Sequence, residues 1–193
     1  MSVFSSIDRR ILAIALPSIV SNITVPLLGL VDVAVTGHMG ADGDTVGALP
    51  ASYYVGAIAV GGMLFNIIYW MFGFLRMGTG GETAQAWGRR DLDGVVLLLV
   101  RSLLLALVLA LVLLALSPLV RDGALWYIAP EAEVASLART YFNICIWGAV
   151  PALGLFAMNG WYIGMQNSRF PMIVAIGQNL LNIACSIFFV YAL

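Results

Sequence analysis

The chain has 193 residues, of which 62% are hydrophobic and only 10% charged, and its mean hydropathy is +0.99. A water-soluble domain carries about 25% charged residues, so that class is excluded, and so is disorder. Nine basic residues, all Arg, stand against ten acidic ones for a net charge of −1, which leaves no basic patch to hold a nucleic-acid backbone.

The first segment, MSVFSSIDRR, runs directly into apolar sequence. Arg9 and Arg10 could head a signal peptide, but the apolar run that follows is too long and lacks a small-residue cleavage site. Apolar runs of about 20 residues then recur, each able to cross the ~30 Å hydrocarbon core as a helix. The fold class is therefore an all-α, multi-pass membrane protein. Five spans are expected, at 11–35, 46–75, 95–120, 140–168 and 170–193. Asp32 is the only charge in the first and Arg101 the only one in the third; the other three carry none. Pro17 and Pro26 in the first span and Pro151 in the fourth are candidate bends, because each removes a backbone donor. The last residues, FFVYAL, carry no flanking charge, and the chain reads as a fragment of a longer one.

Arg sets the expected orientation. Arg9, Arg10, Arg76, Arg89, Arg90, Arg101 and Arg169 fall at one side of these spans, and Arg121 and Arg139 at the other. The excess of positive charge belongs in the cytoplasm, so the N-terminus is expected there and Leu193 outside.

Few polar residues lie within the spans. Asp32 stands out, because a carboxylate in hydrocarbon is costly and must face a cavity or a partner. An interfacial acid at a helix end is the plainer reading; an ion or proton site is the sharper one. Asp32 lies about 30 Å along the helix from Ile11, in the outer half of the membrane. In the fifth span Gln178, Asn182 and Ser186 recur every fourth residue and form one polar stripe, with Asn179 beside it. Asn182 and Ser186 lie about 20 and 26 Å along their helix from Arg169, a depth similar to that of Asp32. The stripe serves equally well as interhelical hydrogen-bond glue or as a pathway lining.

Other features point to structure. Gly160-x-x-x-Gly164 allows two helices to approach closely. The run MGTGG at 77–81 lacks the Gly-Lys-Ser/Thr ending of a phosphate loop. Cys145 and Cys185 both sit in apolar sequence, and His38, the only histidine, falls in a loop. No His, Cys or acid cluster has metal-ligand spacing, and no nucleophile has a base nearby on the same helix face. Neither an enzyme nor a cofactor is expected. Glu82, at the end of the second span, has no assigned role.

The residues also resemble a known family. PSIVSNITVP from Pro17 to Pro26, followed by Gly29-Leu-Val-Asp32 and Thr36-Gly37-His38, resembles the first helix of multidrug and toxic compound extrusion (MATE) transporters. FLRMG ending at Gly78 and TAQAWGRR from Thr83 resemble the end of that family's second helix, and NGWYIGMQN from Asn159 to Asn167 gives a third match. Together they are similar to the DinF-like branch. The resemblance implies a two-lobed fold of about twelve helices in two related halves, of which this chain is most of the N-terminal lobe. The missing C-terminal lobe is then a partner within the same protein. The resemblance further implies a plasma-membrane (inner-membrane) antiporter. Such an antiporter exports amphipathic or cationic drug-like compounds in exchange for protons or sodium. Asp32 matches the acid proposed to bind the coupling ion, Asn182 an asparagine of the same cavity, and Tyr141 a cavity-lining position on the fourth helix. Pro17 matches a proline that lets the first helix bend. Relatives often carry an acid where this chain has Ser186, and a hydroxyl cannot hold that charge. Proton coupling through Asp32 is therefore favoured over sodium. The alternatives are a lipid-linked sugar flippase, which needs a strongly cationic cavity, and a non-transporting membrane scaffold.

Overall fold

The computed structural model describes residues 50–192, together with Leu12, Ala15 and Ile19. Six α-helices follow one another from Ala51 onward: α1 (Ala51–Met71), α2 (Gly73–Gly88), α3 (Leu92–Ile128), α4 (Ala132–Cys145), α5 (Ala149–Gly164) and α6 (Arg169–Ala192). A single 3-10 turn, Ile146–Gly148, joins α4 to α5, and there is no strand among the described residues. Among the described residues, four stretches are long and apolar enough to cross a membrane: Ser52–Gly88, Leu92–Ile128, Ala132–Gly164 and Arg169–Phe188. They answer to the second to fifth expected spans. The first span, 11–35, lies outside the described residues apart from the three named above.

The observed passes are longer than the charge-free runs. The second continues to Gly88 instead of stopping at Leu75, the third begins at Leu92 and ends at Ile128, and the fourth begins at Ala132. Arg76 and Glu82 thus belong to the second pass, Arg121 to the third and Arg139 to the fourth, so Arg101 is not alone among helical arginines as the sequence reading had it. Hydropathy marks the membrane core, whereas the helix continues as long as its backbone can bond to itself. At 1.5 Å per residue, 37 residues reach roughly 55 Å, well beyond the hydrocarbon.

Local chemistry explains the breaks. Met71 ends α1, Phe72 adopts φ −85° and ψ 3°, and α2 resumes at Gly73. Pro151 cannot donate to the carbonyl of Trp147, and the 3-10 turn Ile146–Gly148 sits one turn before it. Pro118 lies inside α3 without ending it. The carbonyl it frees, that of Leu114, accepts the Ser117 hydroxyl at 2.7 Å instead. The Asp91 side chain caps α3 by accepting the Gly94 N–H at 2.9 Å.

Two helix ends close in the same way. After α2, Arg90 takes a left-handed φ of 61°, its N–H bonds to the Trp87 carbonyl and the Asp91 N–H to that of Ala86. After α5, Gln166 takes φ 60°, its N–H bonds to the Ile163 carbonyl and the Asn167 N–H to that of Tyr162. Both are Schellman closures with a side chain where glycine is usual.

Side-by-side packing sets the topology. Gly56 and Gly61 of α1 face Val134 and Tyr141 of α4, while Arg76 and Gly80 of α2 face Gly160 and Gly164 of α5. The second and fourth passes therefore run parallel, with α3 returning between them. One buried cluster joins Phe65, Leu113, Phe142 and Ile146; another joins Leu75, Ala106, Ala110, Leu153 and Ala157. The small residues of the second cluster let α3 and α5 approach closely, as bilayer helices must when dispersion replaces the hydrophobic effect.

Candidate functional site

The polar stripe of α6 is the first candidate. Gln178 and Asn182 are exposed and Ser186 is half-buried, on a helix whose membrane-length window has no residue buried within the described bundle. The Ser186 hydroxyl donates to Asn182 Oδ1 at 3.4 Å, so two members of the stripe meet along the helix as the four-residue spacing predicts. α6 follows α5 and packs mainly against it. The stripe is thus a line of amide and hydroxyl groups on a helix whose apolar remainder suits lipid or other helices. Such groups can hold a proton-bearing or cationic partner in hydrogen bonds without supplying a fixed charge.

Asp32, Pro17 and Pro26 lie outside the described residues. Tyr141 lies on α4 at its contact with α1, where its ring packs on Gly61 and meets Phe65 edge-on at 6.2 Å. The described structure therefore brings Gln178, Asn182 and Ser186 together on α6 and places Tyr141 between α1 and α4.

A second polar place was not legible in the sequence. A cleft of about 180 Å³ opens between α2 and α3, lined by Thr79 and Glu82 on one helix and Arg101 and Ser102 on the other, with Phe74 and Leu105 among its apolar walls. Thr79 and Ser102 are buried, and Glu82 and Arg101 are exposed. The Ser102 hydroxyl is already committed to the Leu99 carbonyl at 3.0 Å. No ion pair joins Glu82 to Arg101 among the described residues. The signal for this cleft was Glu82 itself, an acid without explanation, but its partners lie on another helix.

At the opposite end of the bundle, Arg121 grips Asp122 through two nitrogens, at 2.9 and 3.0 Å, and also bonds Asn143 of α4. Arg139 adds a contact to Asp122 at 3.2 Å. This cluster ties the third pass to the fourth. Among the described residues no group of His, Cys, Asp and Glu is arranged to hold a metal ion.

Comparison with known proteins decides the family. The MatE family profile matches residues 17–188, nearly the whole chain. The chain belongs to the MatE family. Among its relatives, DNA damage-inducible protein F of Escherichia coli (strain K12) is 38% identical across 100% of this chain and 40% of its own length. Multidrug and toxin extrusion protein 2 of Mus musculus is 28% identical, over 95% of this chain and 30% of its own length. A probable multidrug resistance protein NorM of Thermotoga maritima is 28% identical, over 92% of this chain and 36% of its own. The chain thus spans 30–40% of the length of these MatE relatives. No solved structure matches it significantly. The helical passes accord with part of one lobe of a MatE transporter, and with a multi-pass membrane protein.

Proposed function

We propose that this chain forms most of the N-terminal lobe of a secondary multidrug efflux antiporter, not an enzyme, in the plasma or inner membrane with its N-terminus in the cytoplasm. The observation that carries this reading is the MatE match over residues 17–188, supported by relatives named for multidrug resistance and extrusion. Its substrates are amphipathic or cationic drug-like compounds, and the C-terminal lobe of the same protein completes the cavity. The coupling group is Asp32, with Asn182, Ser186 and Gln178 as its hydrogen-bonding neighbours, Tyr141 as a further cavity residue, and Pro17 and Pro26 as bending points. Proton uptake at Asp32 removes its charge and exchanges an acceptor-only carboxylate for one that donates, which changes its bonding to the amide stripe. Such a change biases one of two conformations only as far as their proton affinities differ. Ser186 in place of a second acid favours protons over sodium.

Efflux of a fluorescent cationic dye by the full-length protein tests this, with Asp32→Asn beside the wild type. Efflux in the variant should lose its dependence on the proton gradient and fall to the background of cells lacking the protein. Undiminished gradient-driven efflux would remove Asp32 as the coupling site. A lipid-linked sugar flippase is disfavoured by the placement of its needed cations: Arg101 lines the α2–α3 cleft, whereas Arg76 lines a separate groove with Gly73, Met77 and Phe156.

A further inference from the structure

The α2–α3 cleft is lined by an acid and a base that form no ion pair with each other. Glu82 projects from α2 and Arg101 from α3, over a floor made by the buried residues Thr79 and Ser102. Its volume, about 180 Å³, is well below the roughly 300–1,000 Å³ of sites for drug-sized ligands. It suits a small polar group. Phe74 and Leu105, both about half exposed, continue the cleft as an apolar flank.

Its depth can be worked out from the helix lengths. Glu82 lies six residues before the end of α2 at Gly88, about 9 Å along the axis, and Arg101 nine residues after the start of α3 at Leu92, about 14 Å. A helix of roughly 55 Å overhangs a ~30 Å hydrocarbon core by about 12 Å at each end. Both side chains therefore stand near the boundary between hydrocarbon and headgroups, at the bundle end that also carries Arg89, Arg90 and Arg169. A water-filled crevice would let the two charges solvate separately. A lipid-facing one is matched by a ligand that carries both signs.

We propose that this cleft binds the headgroup of a phospholipid that carries a phosphate and a primary amine, as phosphatidylethanolamine does. The Arg101 guanidinium donates to the phosphate oxygens, Glu82 accepts from the ammonium, and the acyl chains lie along Phe74 and Leu105. Charge-assisted bonds of this kind select by geometry as well as sign, and charged pockets between helices at the membrane surface are known to take lipid headgroups. The carboxylate makes the choice among lipids. A trimethylated amine has no hydrogen to donate to it, and an anionic glycerol headgroup offers it no positive charge.

The test is native mass spectrometry of the delipidated full-length protein, reloaded from mixed micelles of phosphatidylethanolamine, phosphatidylcholine or phosphatidylglycerol. The wild type should retain phosphatidylethanolamine about tenfold better than either other lipid, the equivalent of one charge-assisted hydrogen bond. Glu82→Gln should bring the three lipids level, and Arg101→Gln should lower all three. Arg89→Gln, in the loop beyond the cleft, should keep the tenfold preference. Equal retention of the three lipids by the wild type would overturn the proposal, as would a preference that survives Glu82→Gln or disappears in Arg89→Gln. Displacement of the lipid by inorganic phosphate at matched concentration would also overturn it, by showing that phosphate alone suffices. The wild-type ratio is decisive by itself, and the thermal unfolding transition of Glu82→Gln tells loss of the carboxylate from loss of fold.

Discussion

Single side chains in this bundle act through the backbone groups they satisfy or leave unsatisfied. The Trp161 indole N–H donates to the Val95 carbonyl at 2.9 Å and ties α5 to the start of α3 across 66 residues of sequence. Trp161→Phe keeps an aromatic ring but removes the donor and part of the ring volume, so it should cost at least about 1 kcal/mol in thermal unfolding of the detergent-solubilised protein. Thr83 is the opposite case. It is fully buried and its hydroxyl has no partner among the described residues. Thr83→Val keeps the shape and discards the orphan group, and should be neutral or stabilising by about 1 kcal/mol. A clear loss of stability would mean that the hydroxyl bonds to something beyond the described residues.

At the scale of helices, close approach and clean endings matter most. A Cβ on Gly160 would fall 2.4 Å from the Arg76 carbonyl oxygen, and one on Gly164 would fall 2.7 Å from that of Gly80. Backbone cannot yield as a side chain can, so Gly160→Ala should push α2 and α5 apart and cost about 1–3 kcal/mol. Gly81→Ala, which meets nothing within 4 Å, is the control and should be harmless. The two Schellman closures offer a gain. Arg90 and Gln166 hold left-handed backbone that glycine adopts without a Cβ clash. Gln166→Gly should therefore stabilise by about 1 kcal/mol, read as a rise in the same unfolding transition. Here the sequence was partly legible. The spacing of Gly160 and Gly164 announced a contact, but it did not say that α2, with its own Gly80, was the other side.

For the molecule as a whole, the alternation of passes puts the 89–91 and 165–168 connections at one end and the 129–131 connection at the other. Arg90 and Glu131 should accordingly lie on opposite faces of the membrane. In a cysteine-substituted background, Arg90→Cys should react with a membrane-impermeant maleimide only after cells are opened, and Glu131→Cys in intact cells. The reverse pattern would invert the proposed orientation, and labelling of both from outside would break the proposed topology. The stripe of Gln178, Asn182 and Ser186 belongs to this scale too, because its helix has no residue of the membrane-length window buried within the described bundle.

By itself the sequence determined the class, the passes at 46–75, 95–120, 140–168 and 170–193 in outline, the donor missing at Pro151 and the polar stripe of α6. Each of these is written along one segment, as a run of apolar residues, a missing donor or a four-residue period, and needs no knowledge of neighbours. Tertiary structure decided the rest. Helix ends outran the apolar runs because backbone bonding does not stop at a charge, which is why Arg76 and Glu82 became part of the second pass. The tie from Trp161 to Val95 and the cleft shared by Glu82 and Arg101 join residues on different helices. Such pairs exist only once side-by-side packing has fixed which faces meet, and that choice rests on the summed fit of many small residues rather than on any one motif.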